Sequence, residues 1–442
     1  MVRFDIEWRA AADAFAPLAS EPFAFWLHGG ERGQSRWSTI VAFPSATHEV
    51  RDGKDLARLF EARSRNPHGA EAAAPFVSGL VGYIGYEAAQ WVEPSLALPA
   101  SPYALPVATF GEYEAAAVFD RLERRACILG IDETACERLR DALGRKPVTP
   151  PGGLPRATLS SNFSRTEYVD AVSTVIRQIR EGDFFQANLS QCLSAAFDGE
   201  VSAFNAFRIL AAQSDAPFGA MLNLPSGAVL SNSPELFFAV QQHGENKRIL
   251  VEPIKGTRPR ARDPHLDAAH MKDLAADPKD RAENIMIADL MRNDLSKICE
   301  DGSIREDAIC ELVSLAHVHH LVSRISGDLK SDASASDIIR ALFPSGSITG
   351  APKIEAMKTI AALERVGRGP YCGAIGYFDD RGGASFSVAI RTMMLSKDRR
   401  VMTVPVGGGV TLRSDPRAEY AETLAKATAA ARAFDLDLEA LA

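Results

Sequence analysis

The sequence predicts an α+β fold, on three observations. Strand-like and helix-like stretches are mixed without the regular alternation of a doubly wound sheet. No fixed-period repeat runs through the chain. Hydrophobic residues make up 46% and charged residues 24%, which suits a globular enzyme and excludes general disorder.

The chain has 442 residues, enough for two large domains or three smaller ones at about 150 residues each. Lys and Arg number 49 against 57 Asp and Glu, a net charge of −8. That balance argues against nucleic-acid and anionic-membrane partners. A small anionic substrate would need a locally positive pocket or a metal. The first residues include Asp5, Glu7, Arg9 and Asp13 with no continuous apolar run, so no signal peptide is visible. The best membrane candidate, Ala72 to Tyr86, falls short of the roughly 20 apolar residues of a span. Cys127, Cys136, Cys192, Cys299, Cys310 and Cys372 form no C-x-x-C pair and read as reduced thiols. A cytoplasmic location is expected.

The elements follow in order. Phe76 to Tyr86 reads as strand, with glycines marking close backbone approach. Lys146 to Pro155 holds four prolines and two glycines and cannot continue a helix or a central strand. It places a linker at 147–159 between an N-terminal domain, 1–146, and a larger region, 160–436. Ser164 precedes Tyr168, Val172, Val175, Ile176 and Ile179, a helical spacing behind an N-cap residue. Gly227 to Val240, interrupted at Pro234, and Ala384 to Leu395 read as strand; Arg281 to Leu295 and Pro352 to Leu363 read as helix.

Four segments are too polar and specific for simple core. In Pro253 to Pro259, Lys255 sits between an apolar residue and a glycine. It is either a solvated loop lysine or a partly desolvated amine able to act as a nucleophile. In Asp280 to Asp294, Asp280 and Glu283 share a helix face. In Glu419 to Lys426, Glu419, Glu422 and Lys426 stand one above another. Each is a solvated helix face or, taken together, a pair of carboxylate sources for Mg²⁺. Phe343 to Lys353 fails as a phosphate-binding P-loop because Gly350 is followed by Ala351-Pro352. It is an N-cap loop, or a helix start whose free N–H groups suit a carboxylate. Pro352 fits the first helical position, with Ile354, Met357, Ile360 and Ala361 as the apolar side. His317, His319 and His320 lack zinc-ligand spacing; one is a candidate site residue and the others surface or satisfied core.

These segments, in this order, resemble the chorismate-utilising enzymes. The resemblance runs from about Ser164 to Ala430, through Pro253 to Pro259, Ala282 to Asp294, His320 to Gly327, Gly346 to Lys353, Gly369 to Phe378, Ala389 to Thr392, Gly407 to Val410 and Asp415 to Lys426. Phe25 to Gly29 and Gly79 to Glu87 extend it, less specifically, to the N-terminal part. It implies large antiparallel sheets packed as a sandwich with helices outside. Within the family, anthranilate synthases usually carry alanine where this chain has Lys255, and isochorismate-type enzymes a water-activating lysine where it has Gln186. The chain therefore resembles the aminodeoxychorismate synthase component I branch, transferases that feed 4-aminobenzoate and folate synthesis; anthranilate synthase component I is the nearest alternative.

The resemblance implies Lys255 as nucleophile and Glu235 as general acid. Glu283 and Glu422 match Mg²⁺ ligands, with Glu419 in support. Gly256, Thr257, His320, Ser347, Tyr371, Arg391, Gly409 and Lys426 match substrate-pocket positions, Arg391, Tyr371 and Gly409 on the pyruvyl carboxylate. Asp280 stands where anthranilate synthases tend to have glutamate. Trp26-Leu27-His28-Gly29 replaces their regulatory Leu-Leu-Glu-Ser, so strong tryptophan feedback is not expected. No glutamine amidotransferase or lyase segment is recognisable. Ammonia is expected from a separate amidotransferase subunit, and 4-aminobenzoate formation is expected to need another protein.

Overall fold

The computed structural model describes residues 1–29, 36–61, 74–147, 155–213, 216–243, 246–315 and 317–441. Two sheets carry the fold, and every strand pairing in them is antiparallel. The larger has twelve strands among the described residues. It runs from Val2–Ile6 through Phe25–His28, Phe218–Leu224, Gly227–Ser233, Thr392–Ser396 and Val401–Thr411 to Gln186–Phe197 and the short Gly350–Ala351. The ten-stranded sheet runs from Ile254–Pro259 through Val318–Asp328, Leu236–His243, Ala384–Val388, Ala374–Asp379 and Gly79–Ile84 to Ala46–Val50. Each sheet takes strands from both sides of residue 147. Of the stretch read as linker, 148–154 lie outside the described residues, and the strand Ala157–Ser161 begins before 159 and pairs with Gln186–Phe197.

The strand period of two explains how the layers stack. Val81 and Tyr83 join Phe25, Val118, Leu222, Val229 and Ile375 in a core shared by the two sheets. Their neighbours Leu80 and Ile84 point the other way, into a second buried cluster that also takes in Phe60, Phe110 and, further along, Ile287 and Met291 of the helix Pro278–Ser296. On the large sheet Met221 and Leu230 likewise share a buried cluster with Phe207, Ala427 and Phe434 of outer helices. The result is helix, sheet, sheet, helix. Buried on both faces, Gly79–Ile84 shows no exposed residue, as its continuous apolar run requires. All six cysteines are free thiols. Among the described residues no helix is long and apolar enough to cross a membrane.

Local signals place the helices. Ser164 and Glu167 form a reciprocal capping box at the start of Arg165–Glu181. The helix at 353 differs from its expected form: Pro352 is the N-cap residue and the helix proper is Lys353–Glu364. Its buried face is Ala356, Met357 and Ile360, while Ile354 is 38% exposed. Apolar spacing alone could not say on which side of Met357 the core lies. The run Ala384 to Leu395 is also not one strand. It divides into Ala384–Val388 in the small sheet and Thr392–Ser396 in the large one, turning at Arg391 with φ of 50°. Both pieces are equally apolar, so composition concealed the change of sheet.

Candidate active site

A second chain crossing lies beside that one. Gly227–Ser233 belongs to the large sheet and Leu236–His243 to the small one, with Pro234 breaking the run between them. The two crossings are bonded together. The Val388 amide donates to the Glu235 carbonyl at 3.1 Å, the Asn232 amide to the Arg391 carbonyl at 3.0 Å, and Ser233 Oγ to the Val388 carbonyl at 2.6 Å. Glu235 and Arg391 thus enter the same cavity from adjoining switch points between sheets. That cavity has a volume of about 780 Å³.

Lys255 reaches the cavity through a bulge. The pairing of Ile254–Pro259 with Val318–Asp328 slips between Lys255 and Thr257, and Gly256 takes φ of +78° there. A side chain at Gly256 would be strained and would also lie 2.9 Å from Asp280 Cβ. The Lys255 amine donates to the Ser347 carbonyl at 2.9 Å. Burial lowers its pKa, although Glu235, Glu283 and Glu422 pull the other way. The lysine is neither a solvated loop residue nor part of an ion pair shorter than that bond.

Glu235 is 3% exposed, and its Oε1 has no hydrogen-bond partner. Burial pushes its pKa up to about 7, against the opposing pull of Ser347 and Lys255. Arg391 faces the same space; burial alone lowers its pKa, with no carboxylate contributing. His320 holds Thr257 Oγ1 at 2.9 Å through Nδ1, and its Nε2 is buried and unpartnered. Burial drives its pKa down to about 4, so it is neutral at pH 7. His319 is satisfied core, held by Ser314 at 2.7 Å and Asp267 at 3.0 Å.

The acids come from two helices. Glu283 lies on Pro278–Ser296, half-buried, its Oε1 without a hydrogen bond and its pKa raised by burial. Glu419 and Glu422 lie one turn apart on Pro416–Phe434. A Cβ on Gly408 would stand 3.2 Å from Glu419 Oε2, 3.7 Å from Glu422 Oε1 and 3.6 Å from Lys426 Nζ, so this glycine gives the acids room at the strand. Burial raises the pKa of Glu419. Burial also pushes Glu422 up, but Lys426 at 2.8 Å, with Lys279 and Lys255, outweighs it and holds the carboxyl below its usual range.

The residues that the resemblance assigned to catalysis, substrate and metal all line this one cavity: Lys255, Glu235, Gly256, Thr257, His320, Ser347, Tyr371, Arg391, Gly409, Lys426, Glu283, Glu422 and Glu419. The helix start at Lys353 does not. Ser347 and Ile348 line the wall, while Lys353 is spent on Asp294 at 2.9 Å and the Leu342 carbonyl at 3.1 Å. Asp280 is also engaged, accepting from Arg258 at 2.9 Å. Asn188 and Asn232 line the wall as well and were not anticipated. Asn188 lies two residues from Gln186 on one strand, so period-two spacing could have shown that the two share a face.

The wall holds several buried polar atoms without hydrogen bonds, Asn188 Nδ2, Glu235 Oε1, Glu283 Oε1 and His320 Nε2, and both side-chain polar atoms of buried Gln186, outside the lining, are also unbonded. Buried polar groups are rarely left so, and a concentration of them is the complement of a polar ligand. Arg391 supplies a fork for a carboxylate. The acids supply hard oxygen donors, and Glu283 Oε1, which has no hydrogen bond and only the Lys279 ammonium 3.8 Å away, fits a divalent cation. No three acids among the described residues converge at metal-coordinating distance. Mg²⁺ needs only one or two carboxylates, with waters and substrate completing its shell.

The pattern of the family described as chorismate binding enzyme matches residues 22–432. Aminodeoxychorismate synthase component 1 of Klebsiella aerogenes is 36% identical over 447 aligned residues, covering 95% of this chain and 96% of that one. An anthranilate synthase component 1 of Haloarcula marismortui is 36% identical over 431, covering 91% and 86%. The crystal structure of anthranilate synthase component I from Streptococcus pneumoniae superposes with a TM-score of 0.79 at 28% identity, covering 90% and 92%.

Proposed function

The chain belongs to the chorismate-binding enzymes, and from that premise we propose that it aminates chorismate at carbon 4, giving 4-amino-4-deoxychorismate. The observation that carries this reading is the amine of Lys255, its pKa lowered, in the same cavity as the protonatable Glu235. Gln186 stands where delivery of water would need a base, and a neutral amide is not one.

The Lys255 nitrogen adds at carbon 2 of the ring, the double bonds shift, and the bond from carbon 4 to its hydroxyl breaks. Glu235 gives its proton to that oxygen, which leaves as water, and the proton lost by the lysine nitrogen restores the one Glu235 gave. Ammonia then adds at carbon 4 and gives up one proton, the double bonds return, and Lys255 departs as the amine by taking up one proton. Two easier displacements replace a difficult one. Arg391 and Tyr371 orient the pyruvyl carboxylate, and neutral His320 offers its free ring nitrogen to the substrate. Glu283 and Glu422, with Glu419 in support, would hold Mg²⁺, which neutralises the ring carboxylate when bound. A glutamine amidotransferase subunit supplies the ammonia, and the product serves 4-aminobenzoate and folate synthesis in the cytoplasm.

Incubation with chorismate, Mg²⁺ and an ammonium salt tests the assignment. The expected product is non-fluorescent aminodeoxychorismate. Fluorescent anthranilate would move the chain to the anthranilate synthase branch, and unchanged chorismate would make it a binding protein. Glu283→Gln removes one charged donor, so it is expected to weaken Mn²⁺ binding to the free enzyme by about tenfold or more. Unaltered affinity in a spin-resonance titration would remove Glu283 from the metal site.

A further inference from the structure

Arg368 is 5% exposed and has no part in the chemistry above. Its guanidinium donates in several directions at once. Nε and Nη2 fork onto Glu364 at 2.9 and 2.6 Å, Nη2 also reaches the Asn188 carbonyl at 2.6 Å, and Nη1 the Ile348 carbonyl at 3.1 Å. Glu364 in turn accepts the Ser190 amide at 2.8 Å. The ring of Tyr86 covers the guanidinium at 4.6 Å.

Both carbonyls belong to residues of the cavity wall. Ile348 directly follows Ser347, whose own carbonyl holds the Lys255 amine. The Asn188 amide also donates to the Thr349 carbonyl at 2.8 Å. One buried fork therefore ties the strand Gln186–Phe197 to the turn that holds the amine. A planar guanidinium can serve Glu364 and two carbonyls together; the compact ammonium of lysine cannot.

We propose that Arg368 is a positioning residue that fixes the turn at 345–349 against the strand Gln186–Phe197, and through Ser347 sets the direction in which the Lys255 amine meets its substrate. This rests on Lys255 being the nucleophile of the proposed reaction. A misplacement of about 1 Å at a reacting group can cost about 100-fold in rate.

The test is Arg368→Lys beside a control, Arg381→Lys. Arg381 is clamped to Asp379 at 2.7 Å and to the Ala74 carbonyl at 2.9 Å, away from the cavity wall. Well below the melting temperature, Arg368→Lys is expected to lower kcat by about 100-fold with KM for chorismate nearly unchanged. Amide exchange is expected to quicken at 345–351 and 186–190 alone. The control is expected to lose melting temperature with kcat intact. Equal kcat in both folded variants, with exchange at 345–351 unchanged, would overturn the proposal. If Arg368→Lys does not fold, Glu364→Gln carries the same test: it weakens the fork, and an unaltered kcat counts against the clamp. A parent enzyme that fails to aminate chorismate would defeat the proposed function instead, and amide exchange, which needs no substrate, would still decide the role of Arg368.

Discussion

Lys255→Ala is expected to lower amination of chorismate by at least about 1000-fold, while the protein stays folded and retains chorismate binding. Removal of a covalent nucleophile takes away a step rather than a contact, so the loss falls on kcat. The amine is lined up for that step by its surroundings. Burial favours the neutral form, and the Ser347 carbonyl at 2.9 Å fixes its direction. Truncation to alanine also removes a polar amine whose burial is costly, so stability is expected to hold or rise. Steady-state kinetics with product analysis by chromatography checks this. Diversion to other ring products is compatible with the loss; full retained activity would reject the covalent route.

Glu235→Gln is the second large effect. A general acid contributes about 100-fold to 10,000-fold, and glutamine keeps the shape without the transferable proton. The pH profile gives the sharper reading. Glu235 must be protonated to act, and its pKa is pushed up to about 7, so activity is expected to fall as pH rises through 7. In Glu235→Gln that alkaline fall disappears along with most of the rate. Stability carries the matching sign. The folded pKa stands above the unfolded one, so between about 4.3 and 7 the native state binds more protons and loses stability as pH rises. Glu235→Gln is therefore expected to melt above the parent at pH 8 and close to it at pH 4. A parent profile flat across pH 7 would remove Glu235 as the acid.

The chemistry was more legible in the sequence than the architecture. Lys255, Glu283 and the Glu419–Lys426 helix stand out because charged residues recur inside otherwise apolar or glycine-bearing stretches. Glu235 and Arg391 do not. Each lies where a chain leaves one sheet for the other, and neither Pro234 nor the left-handed φ at Arg391 announces which sheet follows. Their place rested on resemblance until the crossings came together in space. The stacking of the sheets was legible only as a class, since strands buried on both faces read as uniformly apolar. Arg368 and Glu364 are harder still. An arginine four residues beyond a glutamate near the end of a helix is ordinary on any surface, and only their burial marks them as a clamp.

The most direct measurement is of the lysine itself. The enzyme is mixed with chorismate in the absence of ammonia, quenched within its turnover time and digested for mass spectrometry. The peptide carrying Lys255 should gain the mass of chorismate less one water, and lose it when ammonia is added before the quench. An unmodified Lys255 peptide throughout, in enzyme that aminates chorismate once ammonia is present, would contradict the account.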